Sequence, residues 1–465
     1  MHTHDKLNGV TVRLAAFIHS VRSADMPDPV RHSARRAFVN ILGCCLGGAR
    51  HEIVETAAQA LLPFSGTGAI SLLGRSEHAD LTTSTLLNCL GSAAYSFDDT
   101  HADAILHPTG AVVATLLGLA EHRPMTGDEF LLAMVFGVDI ACRLSKAVSV
   151  TPAVGDIGWS QTGIAAGVGA AVAVGRILQL DTQRMGWAIG IAALRASGFR
   201  AAHGTMSATM IFGHAAQTGL RAAILAQHGL SGPTEPIEGK YGYASLFATK
   251  PHLEYLTALL GMSFEINALA FKPYPCGVVI HPALDAALQW HRLSFAQGAG
   301  WIEKVHLLTH PSAAALGFRR HPVNVLEAKV SLYHWVAAAL ARGRASIAEG
   351  QQHVIDDAVV TSLRECIELE GDESLDPDAA VMTVTQKDGA RRTITVDHCR
   401  GSLTNPMSDE DLNEKFRGQA ELVMSRGHAD RLLDLCWNVE TLQDVSAISG
   451  APRCPEHADT ALTAR

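Results

Sequence analysis

Apolar positions recur at helical spacing from about residue 8 to about residue 265. The predicted helices include Val30 to Leu46, ending near Gly47-Gly48, then Thr82 to Tyr95 and Gly110 to Glu121. Thr126-Gly-Asp-Glu129 resembles a capping start for a helix over Phe130 to Val148. Thr162 to Leu180, Thr182 to Ala196 and Gly213 to His228 continue the series. Alanine and glycine dominate these faces, which predicts closely packed helices. Near residue 268 the pattern changes. Lys272-Pro-Tyr-Pro-Cys-Gly277 stops any helix. Ile302 to Thr309 alternates as a strand, while Leu326 to Ala341 and Ile355 to Leu369 are predicted helices. Ala379 to Gln386 and Arg392 to Asp397 form a predicted hairpin across Lys387-Asp-Gly389. Helical spacing returns over Asp411 to Met424, after the N-cap signature at Ser408.

The expected fold is therefore mostly α with an inserted α+β domain. Residues 1–267 and 403–450 would build an all-helical domain from both chain ends. Residues 268–402 would form the smaller α+β lid, and residues 451–465 a frayed tail. A chain of 465 residues suits two domains.

Composition narrows the function. Hydrophobic residues make up 48% and charged residues 18%, which favours a globular protein over a disordered one. The net charge is −9 and no basic run suits a phosphate backbone, so no nucleic-acid partner is expected. The first residues lack the apolar stretch of a signal peptide, and Thr162 to Gly175 is too short to span a bilayer. A cytoplasmic protein without a membrane partner is expected. The nine cysteines include no Cys-x-x-Cys pair, so reduced buried thiols are expected.

One segment does not fit an oily helical run. Ser96 to Gly110 holds Asp98, Asp99, Asp103, Thr100, His101 and His107. Carboxylates and imidazoles in a partly buried place can carry perturbed pKa values, as acid–base chemistry requires. A helix cap with surface histidines would explain the same residues. A metal site is also conceivable, but the spacing matches no metal motif, and none is assigned. Lys272 at the domain junction could hold a substrate carboxylate or could be a snorkelling surface lysine. His281 could face the same cleft or be structural. His203-Gly-Thr-Met-Ser207 is a predicted tight loop ahead of the helix starting near Gly213, whose first backbone N–H groups could receive an anion, or it is an ordinary glycine turn. Gly167-Val-Gly-Ala-Ala has no preceding strand and is not a dinucleotide site.

Taken in order, several motifs resemble the MmgE/PrpD family of 2-methylcitrate dehydratases, cis-aconitate decarboxylases and iminodisuccinate epimerases. They are Phe97-Asp-Asp-Thr100 with His107-Pro108, Gly204-Thr-Met206 with Gly213-x-Ala-Ala216, and Gly232-Pro233 with Glu238-Gly239. Phe271-Lys272-Pro-Tyr-Pro-Cys276 with His281, Ala328-Lys-Val-Ser331, and Asn405-Pro406 with Lys415-Phe416 follow. The resemblance spans roughly residues 10 to 445. It implies a cleft between a helical domain and an α+β lid, a homodimer, and cofactor-free chemistry on small carboxylates. The shared step moves a proton at a carbon next to a carboxylate. Thr100, His107 and Lys272 stand where the family has active-site residues, and Asp98 and Asp99 belong to its Asp-Asp-Thr motif.

The chain departs from that pattern elsewhere. Ser160 stands in place of a family histidine, Ala208 in place of a lysine and Ile211 in place of another histidine. Ser96 occupies the position of an acid found in the decarboxylases, and Val305 to Leu332 lacks their tyrosine. Each lost charged hydrogen bond is worth about 1.5–3 kcal/mol. A smaller or less charged substrate than methylcitrate or cis-aconitate is implied. Ser160, Gln161, Ser207, Thr100 and His281 become candidate substrate-binding residues. His107, Asp98, Asp99 and Lys272 become the candidate catalytic set. A hydro-lyase on a small hydroxy-carboxylic acid is the first expectation. An epimerase or racemase of an α-substituted dicarboxylate is the second, and a non-catalytic relative the third.

Overall fold

The computed structural model describes residues 9–149, 158–294 and 301–450. The N-terminal residues before Gly9 and the tail after Gly450 lie outside it, as does Cys454. The helical part contains the helices Asp28–Gly48, Leu81–Ala93, Thr109–His122, Gly127–Ser149, Gln161–Ile177, Thr182–Ala193 and Ser207–Gln227. Short polar side chains start several of them. Asp80 accepts from the backbone N–H groups of Thr82 and Thr83, and Asp181 accepts from that of Arg184.

The small residues do what their spacing predicts. A Cβ on Gly219 would lie 2.6 Å from the carbonyl oxygen of Gly167, so the helices Gln161–Ile177 and Ser207–Gln227 touch backbone to backbone. One hydrophobic core runs from Leu14 to Phe271 and resumes from Met407 to Ile448. A second core gathers Tyr274 to Cys399. The fold is thus mostly α, with the α+β part inserted between helices of the first core. Met407 to Ile448 rejoins that core through Asp409–Ala420 and Arg426–Trp437.

The α+β part carries a four-stranded sheet in the order Ile367–Gly371, Ile302–Thr309, Ala380–Gln386, Arg391–Val396. The first pair is parallel and the other two antiparallel. Residues 311–365 form the crossover that a parallel pair needs. Here the sequence expectation fails in two places. Ile355 to Leu369 is not one helix. Ala358–Glu365 is helical, and Ile367–Gly371 then pairs with Val305 to Thr309. The free edge of the central strand offers hydrogen bonds that outweigh local helical preference. Leu326 to Ala341 is also broken. A short helix, Val325–Ala328, ends before Ser331 caps a new one over Leu332–Arg342. The helix expected from Gly213 begins earlier, at Ser207.

Cys366 is half-buried and the other described cysteines are buried, all as free thiols. Among the described residues no helix is long and apolar enough to cross a membrane.

Candidate functional site

The acidic segment is not a solvated loop. Asp99–His101 is a buried three-residue strand pairing antiparallel with Leu269–Phe271, with Asp99 opposite Phe271. That pairing places Lys272 beside the cluster. Its ammonium lies 3.1 Å from Asp98 Oδ1 and donates to the Ser96 carbonyl at 3.2 Å. Ser96 holds a φ of 53°, a left-handed conformation that costs a non-glycine residue energy and often marks a functional site. Both charged side chains are almost fully buried. Burial opposes ionisation of Asp98. The Lys272 charge and its hydrogen bond, with His107, outweigh that and hold the carboxyl below its ordinary value.

His107 stands at the mouth of this pair. Its Nδ1 lies 2.8 Å from the carbonyl oxygen of Asp99 and 3.2 Å from Thr100 Oγ1. A carbonyl only accepts, so Nδ1 carries the proton and Nε2 keeps its lone pair. Among the described residues Nε2 has no hydrogen-bond partner, and the side chain is 28% exposed. Asp98 Oδ2 lies 3.7 Å from Nδ1. Burial, then the Lys272 charge, lowers the imidazole pKa, so the ring favours the neutral form of a base. The His107 backbone N–H donates to Thr162 Oγ1 at 3.2 Å, and the ring lies 5.8 Å from that of Phe212.

Asp99 joins the cluster through its backbone. Its carboxyl is fully buried and accepts from the Thr109 hydroxyl. Burial pushes it up to about 6. His101 turns away, with Nε2 2.8 Å from Glu265 Oε2 and Nδ1 accepting from the Ala104 N–H. Both ring nitrogens are used, so His101 is structural. Asp103 is exposed on the following turn.

The remaining candidates separate. Ser160 caps the helix that begins at Gln161, accepting from the Gly163 N–H. The buried Gln161 side chain accepts from Ser145 at 3.4 Å. Ser207 is exposed and bonded to Thr205. The hydrogen bonds of these three go elsewhere than to the Asp98, His107 and Lys272 group, whereas Thr162 Oγ1 accepts from the His107 N–H. His281 is buried against Tyr274, and among the described residues its Nε2 has no hydrogen-bond partner. Burial and the nearby Lys272 charge bring it down to about 3, so it is neutral.

Two lysines complete the electrostatics, and sequence reasoning assigned them no role. Lys415 donates to Asn40 Oδ1 at 2.7 Å, to the Phe97 carbonyl at 2.6 Å and to the Lys272 carbonyl at 2.8 Å. It ties both arms of the site to the C-terminal helix. Lys329 approaches from the α+β part and donates to the Ala94 carbonyl at 3.1 Å. The available signal was that both lysines stand in the motifs Ala328-Lys-Val-Ser331 and Lys415-Phe416.

These features define a class: a two-part, mostly helical protein with a buried carboxylate–lysine pair and a neutral, tautomer-fixed histidine between its parts. Residues 12–256 match the MmgE/PrpD N-terminal domain and residues 274–439 the MmgE/PrpD C-terminal domain, and the chain belongs to this family. Curated relatives include cis-aconitate decarboxylase of Homo sapiens, 26% identical over 471 residues, covering 98% of this chain and 97% of that protein. Cis-aconitate decarboxylase of Aspergillus terreus is 24% identical over 477 residues, covering 96% of each. The Mus musculus protein of the same name is 26% identical over 476 residues, covering 98% and 96%.

Proposed function

We propose that this chain is a lyase that moves a proton at the carbon next to a carboxylate, using its own side chains. The observation carrying this reading is the His107 ring, with Nδ1–H held by the Asp99 carbonyl and Nε2 left free. In the first form the substrate is a small hydroxy-carboxylic acid. Nε2 takes the α-proton, and the electron pair becomes the new C=C bond as the β C–O bond breaks. The departing hydroxide recovers that proton from the imidazolium and leaves as water. Lys272, paired with Asp98 and bonded to Ser96, would act on the reacting carboxylate through its charge and not through a free donor. Thr100 and Asp98 orient the ring.

Decarboxylation is the second form, favoured by the full-length relatives named cis-aconitate decarboxylase. The C–C bond to the carboxylate breaks, carbon dioxide leaves with the electron pair kept on the carbon, and His107, having taken a proton from solvent at Nε2, delivers it to that carbanion. Ser96, which stands where those enzymes have an acid, weighs against cis-aconitate itself.

Proton NMR in heavy water on a panel of hydroxy acids and unsaturated carboxylates tests the reading. A new alkene with loss of the hydroxyl supports the hydro-lyase. Carbon dioxide with one deuterium incorporated supports the decarboxylase. Deuterium exchange with neither product supports an epimerase. Spectra unchanged across the panel would sink the proposal.

A further inference from the structure

Three lysines converge near Asp98, and they are not equivalent. All three donors of Lys415 go to protein oxygens, so it is a structural post. Lys272 is neutralised by Asp98 and bonded to Ser96. Lys329 differs from both. Among the described residues its ammonium has one hydrogen-bond partner, the neutral Ala94 carbonyl, and no carboxylate within ion-pair reach.

Its position is built. The chain breaks between the helices Val325–Ala328 and Leu332–Arg342, and Ser331 caps the second through the His334 N–H. The Gly277 N–H donates to the Lys329 carbonyl, so the turn is tied to the segment that begins at Lys272. The side chain lines a cleft between the two parts of the fold, with His51, Ala94 and Tyr95 on one wall and Pro275, Leu326 and Trp335 on the other. It lies close enough for the charges of Asp98 and Lys272 to act on it, and its own charge bears on His51 and His203. Burial brings Lys329 down to about 8, so it remains mostly cationic at neutral pH. A half-buried ammonium with spare donors and, among the described residues, no carboxylate in ion-pair reach favours an incoming anion.

We infer that Lys329 is a substrate-binding residue that holds a carboxylate other than the one at the reacting carbon. The inference rests on the carboxylate reading above. Lys272 then serves the reacting end, and Lys329 selects substrates by a second negative charge.

Calorimetric binding of succinate and of its monoamide, succinamate, tests this with the full chain. The wild type is expected to prefer succinate. K329Q should weaken succinate by roughly 10–100-fold and leave succinamate unchanged. K329R should keep the preference. K329M, an apolar replacement of similar length, repeats the test if K329Q does not fold. Equal succinate affinity in the wild type and a folded neutral variant overturns the role of Lys329 and leaves the carboxylate reading standing. Failure of the wild type to bind malonate, succinate or glutarate overturns both. A lowered melting temperature with unchanged affinity assigns Lys329 to structure and also overturns the proposal.

Discussion

Asp98 and Lys272 stand 174 residues apart in the chain and 3.1 Å apart in space. The pair joins the Asp99–His101 strand to the segment after Leu269–Phe271, where the two hydrophobic cores meet. Removing one partner leaves a buried charge alone, at a cost of about 3–5 kcal/mol. Lys272→Met is therefore expected to destabilise the protein strongly in urea, and Lys272→Met with Asp98→Asn to recover part of the loss. The Asp98 pKa is lowered in the fold. Its contribution to stability is present above its unfolded value of about 3.9 and is lost as pH falls through the lower folded value.

Asp99 has the opposite sign. Its folded pKa of about 6 exceeds that of an unfolded aspartate. The folded state holds this proton more tightly, so the contribution is full below about pH 4 and is lost as pH rises through about 6. A shift of roughly two units corresponds to about 3 kcal/mol. Asp99→Asn keeps an oxygen for the Thr109 hydroxyl and cannot ionise. Its stability relative to the wild type is expected to be higher at pH 8 than at pH 4. Urea melts at both values check this, and an equal difference at the two would remove the basis for a raised pKa.

His107→Ala is expected to lower kcat/KM by about 10²–10⁴ and to change the melting temperature little, because the ring is partly exposed and one of its nitrogens is free. The acidic limb of the wild-type kcat/KM profile should lie below the ordinary histidine pKa of about 6.5, since burial and Lys272 lower that of His107. A pH–rate profile on whichever substrate turns over checks the limb, and circular dichroism checks the fold of the variant.

Gly401→Ala tests how backbone supports the site. Gly401 has a φ of 86°, and a Cβ there would lie 2.3 Å from the Phe271 carbonyl oxygen. The left-handed conformation alone costs alanine about 1–2 kcal/mol, and the clash adds to it. The expected outcome is lower stability together with a raised KM, since Phe271 carries Lys272. A raised KM without loss of stability would contradict the strain argument.

Local pattern was enough for much of the fold. Helical spacing located the long helices, and polar residues such as Asp80 and Ser408 cap them, because helix formation and capping depend on neighbours within a few positions. The Lys272–Gly277 break marked the junction because two prolines cannot continue a helix. The knot at Ser96 to Gly110 stood out because charge is costly among apolar helices.

Only the tertiary structure decided the rest. Ile367–Gly371 became a strand because Ile302–Thr309 lay beside it with open hydrogen bonds. Within the knot, residue type and position left His101 and His107 alike, and only the family resemblance singled out His107. Glu265 occupies the first and the Asp99 carbonyl fixes the tautomer of the second. The sequence singled out Lys272 and assigned no role to Lys415 and Lys329. Lys415 is consumed by three protein oxygens, Lys272 by Asp98, and Lys329 alone retains donors to spare. A side chain's chemistry depends on which groups surround it, and Glu265, Lys272 and Lys415 reach their partners from 164, 174 and up to 375 residues away, which only folding brings together.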